Sequence, residues 1–300
     1  MKNIKFQMKF MYMIVCIAIL FLSSCRELFF GPEKIYPQSI TIPGYGKLLY
    51  TSTLFDGKDI KDTIIDGEII WSLDYFAGKV YRYDNKTKRT VTLDIEKQSA
   101  NNYESVYSFQ FYMFVDRYMS INNDYILVPF VVNNENNHNY TVKINRIDNS
   151  FSYNKMPDIF DNMKFWDGFF YDGTLYFRVW DENPDVISYT TSDFKNFSMI
   201  TKEEFWSVAE SMPVYYYSDS KNRLYDTEDN SSSRTETYLC VSIDNGNTWY
   251  KANMGTNYAN RVTSAGDTIY VSCHSYYEVI GFFPIGRTGG GVHIFQWEYE

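Results

Sequence analysis

Five times along this chain a tight polar turn leads straight into a short apolar, aromatic-rich run. That recurrence limits the fold more than any single motif does. The copies are Asp66-Gly67 before Glu68-Ile69-Ile70-Trp71, Asn123-Asp124 before Tyr125-Ile126-Leu127-Val128, Asp172-Gly173 before Thr174-Leu175-Tyr176-Phe177, Lys221-Asn222 before Arg223-Leu224-Tyr225, and Gly266-Asp267 before Thr268-Ile269-Tyr270-Val271. They stand roughly 45–57 residues apart, about the length of one four-stranded propeller blade. Tyr and Phe number 28 and 23, a supply of aromatic side chains that suits pleated, half-buried strands. The only helical pattern is a short one near Thr201–Ser211.

A second marker follows each of the first four copies by roughly 17–24 residues: an Asp turn after a strand, usually with an aromatic close behind. Its fullest form is Ser242-Ile243-Asp244-Asn245-Gly246-Asn247-Thr248-Trp249. Asp244 and Asn245 can accept hydrogen bonds from nearby amides. Gly246 tolerates a positive φ, and Trp249 can seal the hairpin. A degenerate copy has Asp193 with Phe197 in the aromatic place, and weaker ones lie at Asp148 and Asp84.

Ser242, Asp244, Gly246, Thr248 and Trp249 match S-x-D-x-G-x-T-W, which resembles the Asp-box of sialidase-like (BNR) β-propellers. The resemblance implies a turn between the two outer strands of a blade, away from any catalytic centre. The expected fold is therefore all-β: a single β-propeller over residues 44–300, with five or six blades of four-stranded antiparallel sheet. The run from Lys47 to Phe55 is extra strand material, which completes the last blade or belongs to a sixth. The polar stretches Asn133–Asn139 and Thr227–Thr235 are expected in loops, as is the glycine-rich run Phe282–Gly291.

The N-terminus carries its own signal. Lys2, Lys5 and Lys9 precede an apolar run, Phe10 to Leu22, of signal-peptide length and short for a membrane span. It ends in Leu22-Ser23-Ser24-Cys25, which resembles the lipobox of bacterial lipoproteins. The resemblance implies a signal peptide over 1–24, a lipid on Cys25, a tether over 25–43, and a protein of the bacterial cell envelope, periplasmic or surface-exposed. Removing those three lysines takes the formal charge from −9 to −12. Such acidity excludes ordinary nucleic-acid binding, which needs Lys and Arg on phosphate. It also leaves lipid, rather than charge, to hold the membrane.

Of the cysteines, Cys240 and Cys273 remain for the folded part. The compartment permits a disulfide between them, and two buried free thiols are the alternative. His138, His274 and His293 show no ligand spacing, so neither a metal nor a cofactor is expected.

For chemistry, the resemblance implies an arginine cluster on a substrate carboxylate, a Tyr–Glu nucleophile pair and an Asp acid/base. The family's early Arg-Ile-Pro motif is absent, and the nearest string is Phe177-Arg178-Val179-Trp180. Arg178, Arg223 and Arg261 lie near the inner-strand markers and are the weak catalytic candidates. Asp124, Asp172 and Asp267 recur at equivalent turns, where turn geometry explains them. Tyr215-Tyr216-Tyr217 and Tyr276-Tyr277 could stack on sugars or grip a protein. The sequence thus ranks non-catalytic binding of a glycan or surface protein above a divergent sialidase-like exo-glycosidase.

Overall fold

The computed structural model describes residues 35–99, 105–108, 118–133, 138–161, 164–180, 186–211, 217–229, 237–255, 257–280 and 283–299. The segment read as a signal peptide, Cys25 and most of the segment read as a tether lie outside them.

Strands β1 (Ile40–Ile42) and β2 (Gly46–Leu54) open the described chain. Blade one is β3 (Ile60–Asp66), β4 (Ile69–Asp74), β5 (Lys79–Asp84) and β6 (Arg89–Asp94), followed by the short helix α1 (Ile95–Ser99). Blade two holds β7 (Ser105–Ser108), β8 (Ser120–Ile121), β9 (Tyr125–Asn133), β10 (Asn139–Asn145) and β11 (Phe151–Lys155). Blade three is β12 (Lys164–Tyr171), β13 (Thr174–Trp180), β14 (Val186–Thr191) and β15 (Ser198–Ile200), followed by α2 (Lys202–Ser211). Blade four is β16 (Tyr217–Ser218), β17 (Leu224–Asp229), β18 (Thr237–Ser242) and β19 (Tyr250–Asn253). The last blade uses β20 (Asn257–Ala265), β21 (Thr268–Ile280) and β22 (Phe283–Tyr299).

The five sheets are antiparallel, and the last runs β20-β21-β22-β2-β1 from the axis outward. β2 pairs with β22 from Gly46 opposite Tyr299 to Leu54 opposite Val292. The N-terminal strands therefore complete the last blade and close a β-propeller with five blades among the described residues. Among the described residues the outermost strands β1, β6, β11, β15 and β19 are short, while the far part of the β21–β22 hairpin, 276–280 and 283–291, pairs only within itself. First strands of neighbouring blades lie side by side around the axis, as β3 and β20 do.

The apolar cores lie across blade boundaries. Trp71 and Leu73 pack with Ile126 and Val142, Leu127 with Phe170 and Phe177, Tyr225 and Val241 with Ile269 and Phe295, and Ile60 and Ile70 with Tyr270 and Val292. Strand alternation turns each such set toward the neighbouring sheet.

Three boundaries differ from the sequence reading. β1 lies inside the segment read as tether, because Ile40 and Ile42 alternate inward and are buried against the last blade. β17 continues through Asp229 into the stretch 227–235, since backbone pairing with β18 does not require apolar side chains. The run 282–291 is mostly β22, a strand of 17 residues. Gly290 and Gly291, both at positive φ, let it pass close to the carbonyls of Lys58 and Leu54. The helix expected near Thr201–Ser211 forms. A reciprocal capping box starts it, with the Thr201 amide donating to the Glu204 carboxylate and the Glu204 amide to the Thr201 hydroxyl.

Candidate functional site

All five inner turns close first-to-second strand hairpins, and the Asp turns close third-to-fourth strand hairpins. Meander topology puts both kinds at one end of each sheet, the turn end. Contacts across blades align these ends: Arg146 reaches Asp66 of the preceding blade with Nε at 3.0 Å and Nη2 at 2.5 Å, and Lys221 reaches Asp267 of the following blade at 2.8 Å. The blade-to-blade links occupy the opposite end.

At that linker end three first strands break register: β3 between Ile60 and Asp62, β12 between Phe165 and Asp167, and β20 between Ala259 and Arg261. A bulge drops one residue from the ladder and re-aims it. In β3 and β20 those residues are Lys61 and Asn260. Lys61 Nζ lies 3.3 Å from His274 Nδ1 and 3.5 Å from Asn260 Oδ1. His274 Nδ1 lies 3.0 Å from the same oxygen. Asn260 Nδ2 donates to the Ile60 carbonyl at 2.9 Å, which turns Oδ1 toward the cation. His274 comes from β21, its ring stacked on Tyr258 at 4.3 Å. The Arg261 guanidinium sits 6.0 Å from the Tyr118 ring centroid, and Lys61 Nζ 5.3 Å from that of Phe76, a ring 67% exposed.

Burial, helped by the neighbouring Lys61 charge and opposed by Asp59, pushes the His274 imidazole down to about 4. It is therefore neutral at neutral pH, and with Nδ1 protonated it donates to Asn260 Oδ1, the oxygen that also accepts from Lys61. Burial also lowers the Lys61 ammonium; Asp59 opposes this and Arg261 adds to it. The two aspartates nearby brace the backbone. Asp59 accepts from the Ser275 amide at 2.8 Å and from its hydroxyl. Asp62 accepts from the amides of Thr63, Tyr118 and Met119 at 2.9, 2.9 and 3.0 Å. The result is a pair of cations, two neutral polar groups and exposed aromatic surface on the axis of an acidic protein.

The three candidate arginines do not converge. Arg261 belongs to this cluster. Arg178 is buried beneath α2, its guanidinium 5.1 Å from the Phe205 ring and 4.7 Å from the Trp206 ring. Arg223 is at the turn end, fully buried. Its Nε meets Asp219 Oδ2 at 2.5 Å, its Nη1 meets the Tyr299 hydroxyl at 2.7 Å, and its guanidinium covers Trp297 at 4.9 Å. It ties blade four to the closing strand. Asp124, Asp172 and Asp267 also sit at the turn end, and Asp267 is held by Lys221, Arg223 and Tyr299.

The Asp turns are built as turns. Asp244 Oδ1 accepts from the Thr248 amide and the Ser242 hydroxyl, both at 2.8 Å, and Ser242 Oγ accepts from the Gly246 amide at 2.9 Å. Asn245 and Gly246 have φ of 57° and 86°, and a Cβ on Gly246 would touch Leu224 and Trp249. Asp193 repeats the arrangement. Partial burial pushes its carboxyl up, but the amides of Asn196 and Lys195 outweigh this and hold it down at about 2. Phe197 joins the aromatic cluster of Phe160 and Phe177.

Cys240 and Cys273 are both free and buried; the disulfide is not formed. They stand in different sheets. Cys240 Sγ is directed to Glu228 and Cys273 Sγ to the Val271 carbonyl. Burial pushes the Cys240 thiol up to about 12 and the Cys273 thiol well above its usual value, so neither is a ready nucleophile.

Sequence spacing hid one cluster. His138, Asp158 and Asp161 bring ligand atoms within 4.8 Å of one another. His138 Nδ1 is 2.6 Å from Asp161 Oδ2 and Lys155 Nζ is 2.7 Å from Asp158 Oδ1, so a hydrogen bond and an ion pair account for these contacts. Of the tyrosine runs, Tyr217 shares a hydrogen bond with Ser264 at 2.8 Å. Tyr215 and Tyr216, and the side chains of Tyr276 and Tyr277, lie outside the described residues. Lys61, Asn260 and His274 were not singled out together by sequence, because bulges carry no local signature.

No protein-family model matches this sequence, and no curated protein matches it. Among solved structures it is similar to a luciferin-regenerating enzyme at 9% identity, over 87% of this chain and 95% of that one, with a TM-score of 0.45. It is similar to regucalcin, a calcium-binding protein from Agrobacterium tumefaciens, at 7% identity over 86% and 95%, TM-score 0.40. The β-propeller domain of the Trilobed protease from Pyrococcus furiosus follows at 11% identity over 81% and 80%, TM-score 0.29. At these identities the likeness concerns the fold alone.

Proposed function

We propose that this chain is a lipoprotein of the bacterial cell envelope whose propeller binds a glycan or protein ligand at the linker end of its axis, without chemistry of its own. The observation that carries this reading is the aiming of Lys61 and Asn260 by strand bulges toward His274, beside exposed Phe76. Bulges next to sites re-aim side chains, and aromatic faces beside polar groups suit sugars and protein partners alike. An anionic group on the ligand would meet Lys61 and Arg261.

The resemblance of Ser242–Trp249 to an Asp-box supports the sialidase-like reading of the fold. The same resemblance would make a hydrolase need several arginines at one point, and the separation of Arg178, Arg223 and Arg261 weighs for binding. The test is a glycan array and a panel of fluorogenic glycosides, both with the fragment 26–300. Binding that is lost in Lys61→Gln, without turnover, is the expected outcome. Turnover abolished by an Arg261 substitution would replace the binding account with a divergent hydrolase. Anchoring is tested separately: Cys25→Ala should move the protein from the membrane to the soluble fraction, and unchanged membrane retention would refute a lipid there.

A further inference from the structure

Among the described residues Lys61 is a half-buried cation without a carboxylate partner. Its Nζ meets Asn260 Oδ1 at 3.5 Å, His274 Nδ1 at 3.3 Å and the Phe76 ring centroid at 5.3 Å. Asp59 acts on it only at a distance, with its carboxylate turned to the Ser275 amide and hydroxyl. Asp62 is taken by three backbone amides. A partly desolvated ammonium is costly until an anion joins it. The bulge that re-aims Asn260 also carries Arg261, a second cation whose charge reaches Lys61.

His274 adds a second requirement. Nδ1 donates to Asn260 Oδ1 at 3.0 Å, so Nε2 carries a lone pair, and Nε2 makes no hydrogen bond among the described residues. Burial keeps the imidazole neutral at neutral pH, so that nitrogen accepts and does not donate. A ligand that satisfies this cluster brings an anion and, close to it, a hydroxyl. Phe76, 67% exposed, adds a third requirement: an apolar face.

Few chemistries meet all three. A phosphate group carries roughly two charges and would face the buried carboxylates of Asp59 and Asp62 in an already acidic protein. An Asp or Glu side chain of a protein partner has no hydroxyl beside its carboxylate and no ring face. A sialic acid carries its carboxylate between the glycosidic oxygen and a deoxy carbon. A hexuronate has its carboxyl group beside a ring hydroxyl and a C–H face on the same ring. At the non-reducing end of a glycan that hydroxyl is free.

We propose that the axial cluster binds the terminal hexuronate residue of an acidic glycan. The carboxylate meets Lys61 and Arg261, the neighbouring ring hydroxyl donates to His274 Nε2, and the sugar ring covers Phe76. This rests on the binding reading proposed for the linker end and names its ligand.

Calorimetric titration of the full chain in detergent micelles tests it, with trisaccharides ending in glucuronate or galacturonate as probes. At least one of the two epimers should bind. Its methyl ester, neutral at the carboxyl, and its 4-O-methyl ether, which lacks the donor, should each bind at least about tenfold more weakly. Lys61→Met should no longer tell acid from ester. His274→Phe, which keeps a ring on Tyr258, should no longer tell hydroxyl from ether. Unfolding midpoints show that both variants fold, and the ester and ether comparisons need no variant. Equal binding of acid, ester and ether overturns the inference, as does uronate binding unchanged in both variants. A preference for a sialylated trisaccharide or a glutamate-rich peptide, lost in Lys61→Met, overturns the uronate and leaves a binding site at the linker end. If these probes and every array glycan show no binding that depends on Lys61, both the ligand and the site fall.

Discussion

At the scale of single residues, the two ends of the propeller use charge differently. Arg223 and Asp219 form a buried ion pair completed by Tyr225, Tyr299 and Trp297. Arg223→Leu would strand a buried carboxylate, and denaturant unfolding should show a loss of about 3–5 kcal/mol. Lys61→Gln removes a half-buried cation whose hydrogen-bond neighbours His274 and Asn260 are neutral and on which the Asp59 and Arg261 charges act in opposite directions, so its unfolding midpoint should change little. His274 gives the pH signature. Its imidazole is held near 4 in the fold against a usual value of 6.5. Between those values the unfolded chain takes up a proton that the folded chain refuses, so stability falls as pH drops through that window. His274→Gln should flatten the dependence of the unfolding midpoint between pH 6.5 and 4 relative to the parent; an unchanged slope would mean that this ring does not set it.

At the scale of elements, the turns were legible and the bulges were not. Asp244, Gly246 and Asp193 announce themselves because a four- to seven-residue turn closes with side chains that are neighbours in sequence. Ser242→Ala should cost about 1 kcal/mol, by removing the hydroxyl that links Asp244 to the Gly246 amide. Asp244→Ala should act in the same direction, and neither should alter ligand binding. Lys61 and Asn260 leave the ladder only because of how β3 pairs with β4 and β20 with β21, and Lys61 meets Asn260 and His274 across roughly 200 residues of chain. Sequence inspection chose arginines by their distance from a marker, whereas Arg178 lies on Phe205 and Trp206 of α2 and Arg223 on Tyr299 and Trp297 of the closing strand, partners far away in the chain. The short strand β1 was missed for another reason: Pro37 and Pro43 flank Ile40 and Ile42 and make a paired strand read as a tether.

For the whole molecule, closure is the central structural fact. The ring is locked where β2 meets β22, and the lock is reinforced by Trp297 Nε1 donating to the Tyr225 hydroxyl at 2.9 Å and by Tyr299 against Arg223 and Asp267. Removing residues 297–300 takes away both aromatic side chains. It should lower the thermal midpoint more than any single turn substitution does; a midpoint within a degree of the parent would mean that closure is not what holds the ring. The division of labour between the ends follows from the same architecture, with hairpin turns and inter-blade ion pairs at one end and bulged first strands around the axis at the other. The measurement that tests this division most directly is a matched pair of glycan-array binding and unfolding midpoint for Lys61→Gln and Ser242→Ala in the fragment 26–300. The account predicts that Lys61→Gln loses binding at an unchanged midpoint, and that Ser242→Ala keeps binding at a lowered one. Binding lost in Ser242→Ala and retained in Lys61→Gln would contradict it and move the site to the turn end.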